Sequence, residues 1–395
     1  MRTKADKVNK KNGTAGGMIH KKTHAGDFWL LLLVMILLTF GIIMVFSASY
    51  YYSISKTGQP YSYLIKDVVW VIIGIFCMVF AATIPYNKYA KFAKPLMLLS
   101  LLLLGLVFTP LGVTRNLATR WVGVSLGSHE FTIMPGEIAK IAAIIFTAWY
   151  LSEKPQRIRT LKGILPLLGL AICYFAMIIK QPNLSTALTV VGIIMGIMFV
   201  AGISWRYIGI MAVLGTIGTA ALIFIDKDGY RLKRVMSFKD PFQDKLGDGW
   251  QVVHSLFGLG SGGFLGLGLG KSIQKNLWLP EPQNDFIFAV IGEELGFIGS
   301  IMLIAVYMLL IWRGAYIAIN ARDMFSSLMA SGITIMIGLQ VIMNIAVVTS
   351  SMPCTGITLP FISYGGNALI MFMISTGILL NISRYTNKNA SLNKE

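Results

Sequence analysis

Phe28-Trp-Leu-Leu-Leu-Leu-Val-Met-Ile-Leu-Leu-Thr-Phe-Gly-Ile-Ile-Met-Val-Phe-Ser-Ala-Ser49 carries no charged side chain from end to end. A helix of about twenty apolar residues crosses the ~30 Å core of a bilayer, so this stretch reads as a membrane span. Similar runs recur at about 68–84, 95–108, 135–151, 163–179, 184–202, 207–225, 286–312, 326–349 and 366–382. The fold class that follows is an all-α polytopic membrane protein. It has ten transmembrane helices and one large extracytoplasmic loop, 226–285, between helices 7 and 8. Strand-type alternation is absent, which argues against an outer-membrane barrel.

Of 395 residues, 55% are apolar and only 13% charged, yet the net charge is +17. In a soluble chain that excess would suggest nucleic acid; in a membrane chain the positive-inside rule is tested first. Residues 1–27 hold seven Lys and Arg. They read as a disordered, basic segment before an uncleaved anchor, too long and too polar for a short cleaved signal. Summed over alternate loops, the side of the N-terminus holds 20 Lys and Arg. The other side and the span edges hold 14, and eight of those lie in the long loop. Both termini, 1–27 and the tail 386–395, are therefore expected in the cytoplasm, with 28–385 as the membrane domain. The basic excess needs no nucleic acid. The cysteines, Cys77, Cys173 and Cys354, are odd in number and have no CxxC spacing. His20, His24, His129 and His254 form no HExxH pattern.

Two outward segments are large enough to build a site, 109–134 and 226–285. In the second, Gly258-Leu-Gly260-Ser-Gly262-Gly263 matches GxGxxG by letter, but no strand precedes it. Gly270-Lys271-Ser272 resembles the end of a P-loop, but Leu265 stands where the first Gly is required. Seven glycines in the thirteen residues 258–270 leave two readings open. Exposed backbone N–H groups could hold an anion, or the loop could pack back on the bundle. Arg231, Lys233, Arg234, Lys271 and Lys275 give the loop positive charge, suited to a membrane phosphate, whether substrate or lipid headgroup.

Glu137 and Lys140 stand in the first turn of a span, at i,i+3 spacing that lets them pair. Ionisable residues at such depth are functional candidates, and a structural pair is the alternative. Glu293 and Glu294 lie deeper, the first roughly 80° around the helix from Asp285 and the second on the opposite side, so neither reads as a second carboxylate for the same substrate. Asp285 itself stands between the polar stretch Trp278-Leu-Pro-Glu-Pro-Gln-Asn284 and an apolar run. It is either a helix cap or a carboxylate placed for chemistry at the membrane surface.

Taken in order, these segments resemble the SEDS family of bacterial cell-wall polymerases, the relatives of FtsW, RodA and SpoVE. The resemblance covers about 28–385. It rests on Asn116…Arg120-Trp121, Pro135-Gly-Glu137-Ile-Ala-Lys140, Gln181-Pro-Asn-Leu-Ser-Thr-Ala187 and Tyr230…Arg234…Phe238…Asp240-Pro241. It continues through Gly249-Trp-Gln251…Ser255-Leu256, Gly262-Gly263…Gly270-Lys271-Ser272, Leu279-Pro-Glu-Pro-Gln283, Asp285-Phe-Ile-Phe288 and Glu293-Glu-Leu-Gly296. It closes with Pro353…Thr355-Gly356…Leu359-Pro-Phe-Ile-Ser-Tyr-Gly-Gly366. The Leu-Pro-Glu-Pro-Gln block and Gly-Leu-Gly-Lys-Ser look closer to FtsW and SpoVE than to RodA. Gly136, Asn183, His254, Asn284 and Asn367 depart from the pattern, where Ser, Asp, Gln, Thr and Ser are usual.

The resemblance implies a peptidoglycan glycosyltransferase in the bacterial cytoplasmic membrane. It would polymerise lipid II, a disaccharide-peptide on undecaprenyl pyrophosphate, in division or a septal or sporulation process. Asp285 matches the family's catalytic aspartate. Arg120, Lys140, Arg231, Arg234 and Lys271 are the expected contacts for the pyrophosphate, with Glu137, Ser272 and Glu281 also in the substrate set. The resemblance further implies a divalent cation, Mg or Mn, though no ligand cluster in the sequence shows one. Implied partners are a class B penicillin-binding protein, divisome-type proteins and membrane lipid. The expected docking face lies on 286–312 and 326–349, where Ala330, Gly332 and Gly338 allow close helix packing. Two other readings compete: a lipid II flippase, and a non-catalytic scaffold for a transpeptidase.

Overall fold

The computed structural model describes residues 26–115, 118–126, 129–224, 238, 240–242 and 249–386. Its helices are α1 (Phe28–Thr57), α2 (Ser62–Thr83), α3 (Tyr86–Leu106), α4 (Pro135–Glu153), α5 (Leu161–Ile179) and α6 (Leu184–Val200). They continue as α7 (Trp205–Phe224), α8 (Trp250–Ser261), α9 (Ile287–Ile319), α10 (Met324–Val348) and α11 (Gly366–Ser383). All but α8 coincide with a span expected from the sequence. Seven of them, α1, α2, α3, α5, α9, α10 and α11, are long and apolar enough to cross a membrane. Their outward faces are apolar: Phe76 and Phe80 of α2 and Leu98 of α3 are exposed. In a membrane such side chains face lipid.

Three expectations need correction. The segment 109–134 is not a plain loop. It folds into an antiparallel sheet of β1 (Gly112–Arg115), β2 (Ala118–Leu126) and β3 (His129–Ile133), in that order. β-Branched and aromatic residues such as Val113, Trp121, Val122 and Ile133 suit it, and Val122 pairs with Ile133. The segment 226–285 is not all loop either, because α8 lies in it. The third helix begins at Tyr86 rather than at 95, and Pro95 lies inside it. A membrane helix tolerates an interior proline when its neighbours satisfy the freed backbone group.

The bundle has two polar ends. At one, the Asp27 carboxylate caps α1 and pairs with Arg313 of α9 at 2.6 Å, while the Asp27 N–H donates to Ser383 of α11. Tyr86 donates to Asp323 at 2.5 Å, and Asn381 joins Ala82 to Tyr86. This end therefore gathers the start of α1, the α2–α3 and α9–α10 turns, and the end of α11. The start and finish of the helical bundle share one side. Between the ends, α2 and α11 lie backbone to backbone. A Cβ at Gly377 would meet the Met78 carbonyl oxygen at 2.3 Å, and one at Gly366 would enter the Trp70 ring. Close approach of this kind is how helices associate without a hydrophobic gradient between them.

α9 is broken at Gly296 (φ 67°, ψ −165°). The Gly-rich segment after α8 closes the gap. Leu267 and Gly268 donate their N–H groups to the carbonyls of Glu293 and Glu294, and Phe297 donates to Gly263. Within a membrane each backbone group needs such a partner. Of the two readings of this loop, packing on the bundle is the one seen, at least for 263–268: the N–H groups of Gly266, Leu267 and Gly268 all meet protein carbonyls.

Candidate active site

The opposite end of the bundle holds Asp285. It lies in a turn just before α9, whose N-cap residue is Phe286 and which shows no side-chain cap bond. The Asp285 carboxylate faces the segment between α10 and α11. The position a Cβ would take on Gly356 lies 3.2 Å from Asp285 Oδ2 and 4.0 Å from Arg120 Nη1. Gly356 has φ +68°, the left-handed region that glycine enters without steric cost. A carboxylate from the α9 turn and a guanidinium from β2 thus converge on one backbone position.

Side chains from four elements, β2, α6, α10 and α11, hold this arrangement. Arg120 Nη2 donates to the Pro182 carbonyl at 2.5 Å, tying the sheet to the α5–α6 turn. Asn183 caps α6, accepting from Thr186 N–H, and Ser185 donates to the Thr355 carbonyl at 2.5 Å. Asn344 of α10 donates to the carbonyls of both Asp285 and Ile357. Tyr364 N–H reaches the Gln283 carbonyl at 2.9 Å, and Asn367 reaches that of Thr132 at the end of β3. Gln283 Oε1, Asn284 Oδ1, Asn344 Oδ1 and Thr355 Oγ1 are buried here without a protein hydrogen-bond partner. A concentration of such atoms suits a polar, hydroxyl-rich ligand. The departure at Asn183 keeps the cap while removing a charge.

The other residues singled out in the sequence fall into different places. Glu137 and Lys140 are both buried and pair with each other at 2.7 Å, and the Lys140 ammonium lies over the Phe372 ring. Their helix starts beside α6, where a Cβ on Gly136 would meet Thr186 at 2.9 Å. Glu281 has φ +46°, and its carboxylate accepts from Asn284 Nδ2 at 2.9 Å and from the Tyr52 hydroxyl. Lys271 is exposed. Arg231, Lys233 and Arg234 lie outside the described residues.

Two polar residues of the Gly-rich loop are engaged within the protein. Ser272 is buried and donates to Glu293, which ties the loop to α9. Lys275 is buried against Glu294 at 2.8 Å and Ser47 at 3.0 Å, not offered to a phosphate at the surface. Glu293 also accepts from the N–H of Ile273 at 2.9 Å and of Gln274 at 3.2 Å. The two glutamates that the sequence left without a role are the seat of the Gly-rich loop. The three small residues named for the docking face turn inward. Ala330 is fully buried, Gly332 packs on Ile144 and Ile197, and Gly338 faces Ile311 within the same chain. Those small residues serve the internal packing of the bundle.

Comparison with known proteins agrees with this architecture. The FtsW/RodA/SpoVE family model, described as "Cell cycle protein", matches residues 28–388. Stage V sporulation protein E of Bacillus subtilis (strain 168) is 40% identical over 371 residues, covering 93% of this chain and 100% of that protein. A probable peptidoglycan glycosyltransferase FtsW of Geobacter sp. (strain M18) is 36% identical, covering 92% and 98%. A solved chain from work on polymerization and crosslinking by a peptidoglycan synthase complex superimposes with a TM-score of 0.75 at 29% identity, covering 92% and 99%. The rod shape determining protein RodA of Thermus thermophilus gives 0.67 at 27% identity, covering 92% and 98%. With nearly its whole bundle matched in both sequence and fold, the chain belongs to the FtsW/RodA/SpoVE family of integral membrane proteins.

Proposed function

We propose that this chain is a peptidoglycan glycosyltransferase that polymerises lipid II at the outer membrane face, with Asp285 as general base. One observation carries the assignment of the base: Asp285 Oδ2 and the Arg120 guanidinium both approach one backbone position, Gly356. The 4-hydroxyl of the acceptor sugar attacks C1 of the donor. Its proton passes to Asp285, the C1–O bond to the pyrophosphate breaks, and undecaprenyl pyrophosphate leaves. Arg120 stabilises the departing anion by charge-assisted hydrogen bonds. Arg231, Arg234, Lys271 and Glu281 belong to the same proposed substrate set. The 20 to 14 distribution of Lys and Arg supports cytoplasmic termini. The full length of the bundle shared with a chain of a peptidoglycan synthase complex supports pairing with a class B penicillin-binding protein.

Among the described residues, no three His, Cys, Asp or Glu side chains gather where they could hold a metal ion.

The test is Asp285→Asn in the purified protein supplied with lipid II. Loss of a general base should slow polymerisation about a hundredfold to ten-thousandfold. Glu153→Gln, a parallel loss of charge at the exposed far end of α4, should keep most of the rate. Near wild-type polymerisation by Asp285→Asn would sink the assignment. Transfer of labelled lipid II across liposomes without glycan formation would favour a flippase instead.

A further inference from the structure

Asn344 belongs to no motif identified in the sequence, carries no charge and is almost wholly buried, at 1% exposure. Its single amide nitrogen donates to two separate segments, the Asp285 carbonyl at 2.8 Å and the Ile357 carbonyl at 2.6 Å. Residue 357 follows Gly356, the backbone position that Asp285 Oδ2 faces. Both hydrogens of one rigid NH2 group thus fix the two backbone segments that bring Asp285 and Gly356 together. The opposite side of the amide, Oδ1, is buried without a hydrogen-bond partner. An apolar residue would avoid that desolvation penalty. Asn344 therefore keeps an unsatisfied acceptor in exchange for two donors aimed at the site.

We propose that Asn344 is a positioning residue for the polymerisation reaction, setting where the Asp285 carboxylate stands over Gly356. The inference rests on Asp285 being the general base. Reaction rates are steep in geometry, and a misplacement of about 1 Å costs on the order of a hundredfold. The hydrogen bonds of Asn344 go to main-chain carbonyls, so its effect on the reaction passes through Asp285. Its removal should lower turnover and leave lipid II capture largely intact.

The experiment uses the full-length protein, with initial rates measured across lipid II concentration and thermal midpoints measured in detergent. Asn344→Ala removes both donors, and Asn344→Asp keeps the shape but replaces the NH2 group by a carboxylate oxygen. Each should reduce turnover about thirtyfold to a hundredfold, with the half-saturating lipid II concentration changed less than about threefold. The decisive measurement is Asp285→Asn with and without Asn344→Ala. A positioning residue for that base adds no further loss once the base is gone, whereas an independent structural defect multiplies in. Turnover within threefold of wild type for Asn344→Ala overturns the proposal. So does full multiplication in the double variant, or loss of the folded protein in both Asn344 variants. Normal polymerisation by Asp285→Asn overturns the general-base reading itself, a result distinct from all of these.

Discussion

The Lys275 ammonium lies 2.8 Å from the Glu294 carboxylate, with both side chains buried and Ser47 Oγ bridging them at 2.6 and 3.0 Å. The pair joins the Gly-rich loop to α9 just before its break and to α1. Desolvating two charges costs several kcal/mol each, and their attraction offsets this only while both are present. Lys275→Met should therefore destabilise the protein by about 3–5 kcal/mol, because it leaves Glu294 buried beside Glu293. Lys275→Met combined with Glu294→Gln should recover a large part of that loss. Thermal midpoints of the three purified proteins decide it. Equal midpoints for the single and double variants would mean that the charges do not act as a pair.

The residues responsible for this pair were readable in the sequence, but their roles were not. Lys275 follows Gly270-Lys271-Ser272 in a polar loop, and nothing in the chain says that a helix 19 residues on supplies its carboxylate. Span positions were legible because an uncharged run like 28–49 has few other uses. The start of α3 was not, because Pro95 resembles a helix beginning and the lysines at 88, 91 and 94 resemble a loop. Lys94 in fact lies over the Trp149 ring, 4.9 Å from its centroid. The sheet at 112–133 was hidden by its Gly and polar content, although Val113, Trp121 and Val122 carried the strand signal. Asp285 was legible from its place between a polar stretch and an apolar run. Asn344 was not, because one amide inside an apolar helix becomes meaningful only when two distant carbonyls are seen to meet it.

The two polar ends of the bundle fix relative sidedness, and surface labelling tests the absolute one. Asn276 and Lys154 are both exposed, the first near the Asp285 end and the second in the turn after α4. In a background with Cys77, Cys173 and Cys354 replaced, Asn276→Cys should react with an impermeant thiol reagent in intact cells. Lys154→Cys should react only after the membrane is opened. The reverse pattern would place the candidate site in the cytoplasm and remove the basis for lipid II polymerisation on the outer face.

Gly266 and Gly270 lie in the same loop and share the same backbone region, with φ of +81° and +80°. An alanine at either position suffers the left-handed strain of an L residue, about 1–2 kcal/mol. Their surroundings differ. A Cβ at Gly266 would lie 2.2 Å from the Glu294 carbonyl oxygen, whereas one at Gly270 meets nothing within 4 Å. That carbonyl accepts the Gly268 N–H, one of the bonds that close the break in α9. Moving it aside would unpair backbone groups inside a membrane, where each costs several kcal/mol. Gly270→Ala should thus remain folded, with stability lowered by about 1–2 kcal/mol. Gly266→Ala should lose at least twice as much and should release Ser272 from Glu293 as the loop lifts. Midpoints of thermal unfolding, with cysteine accessibility at position 272 in each background, separate the two. Similar midpoints and a protected position 272 in both would show that the Gly-rich loop does not complete α9, and that backbone strain alone governs these glycines.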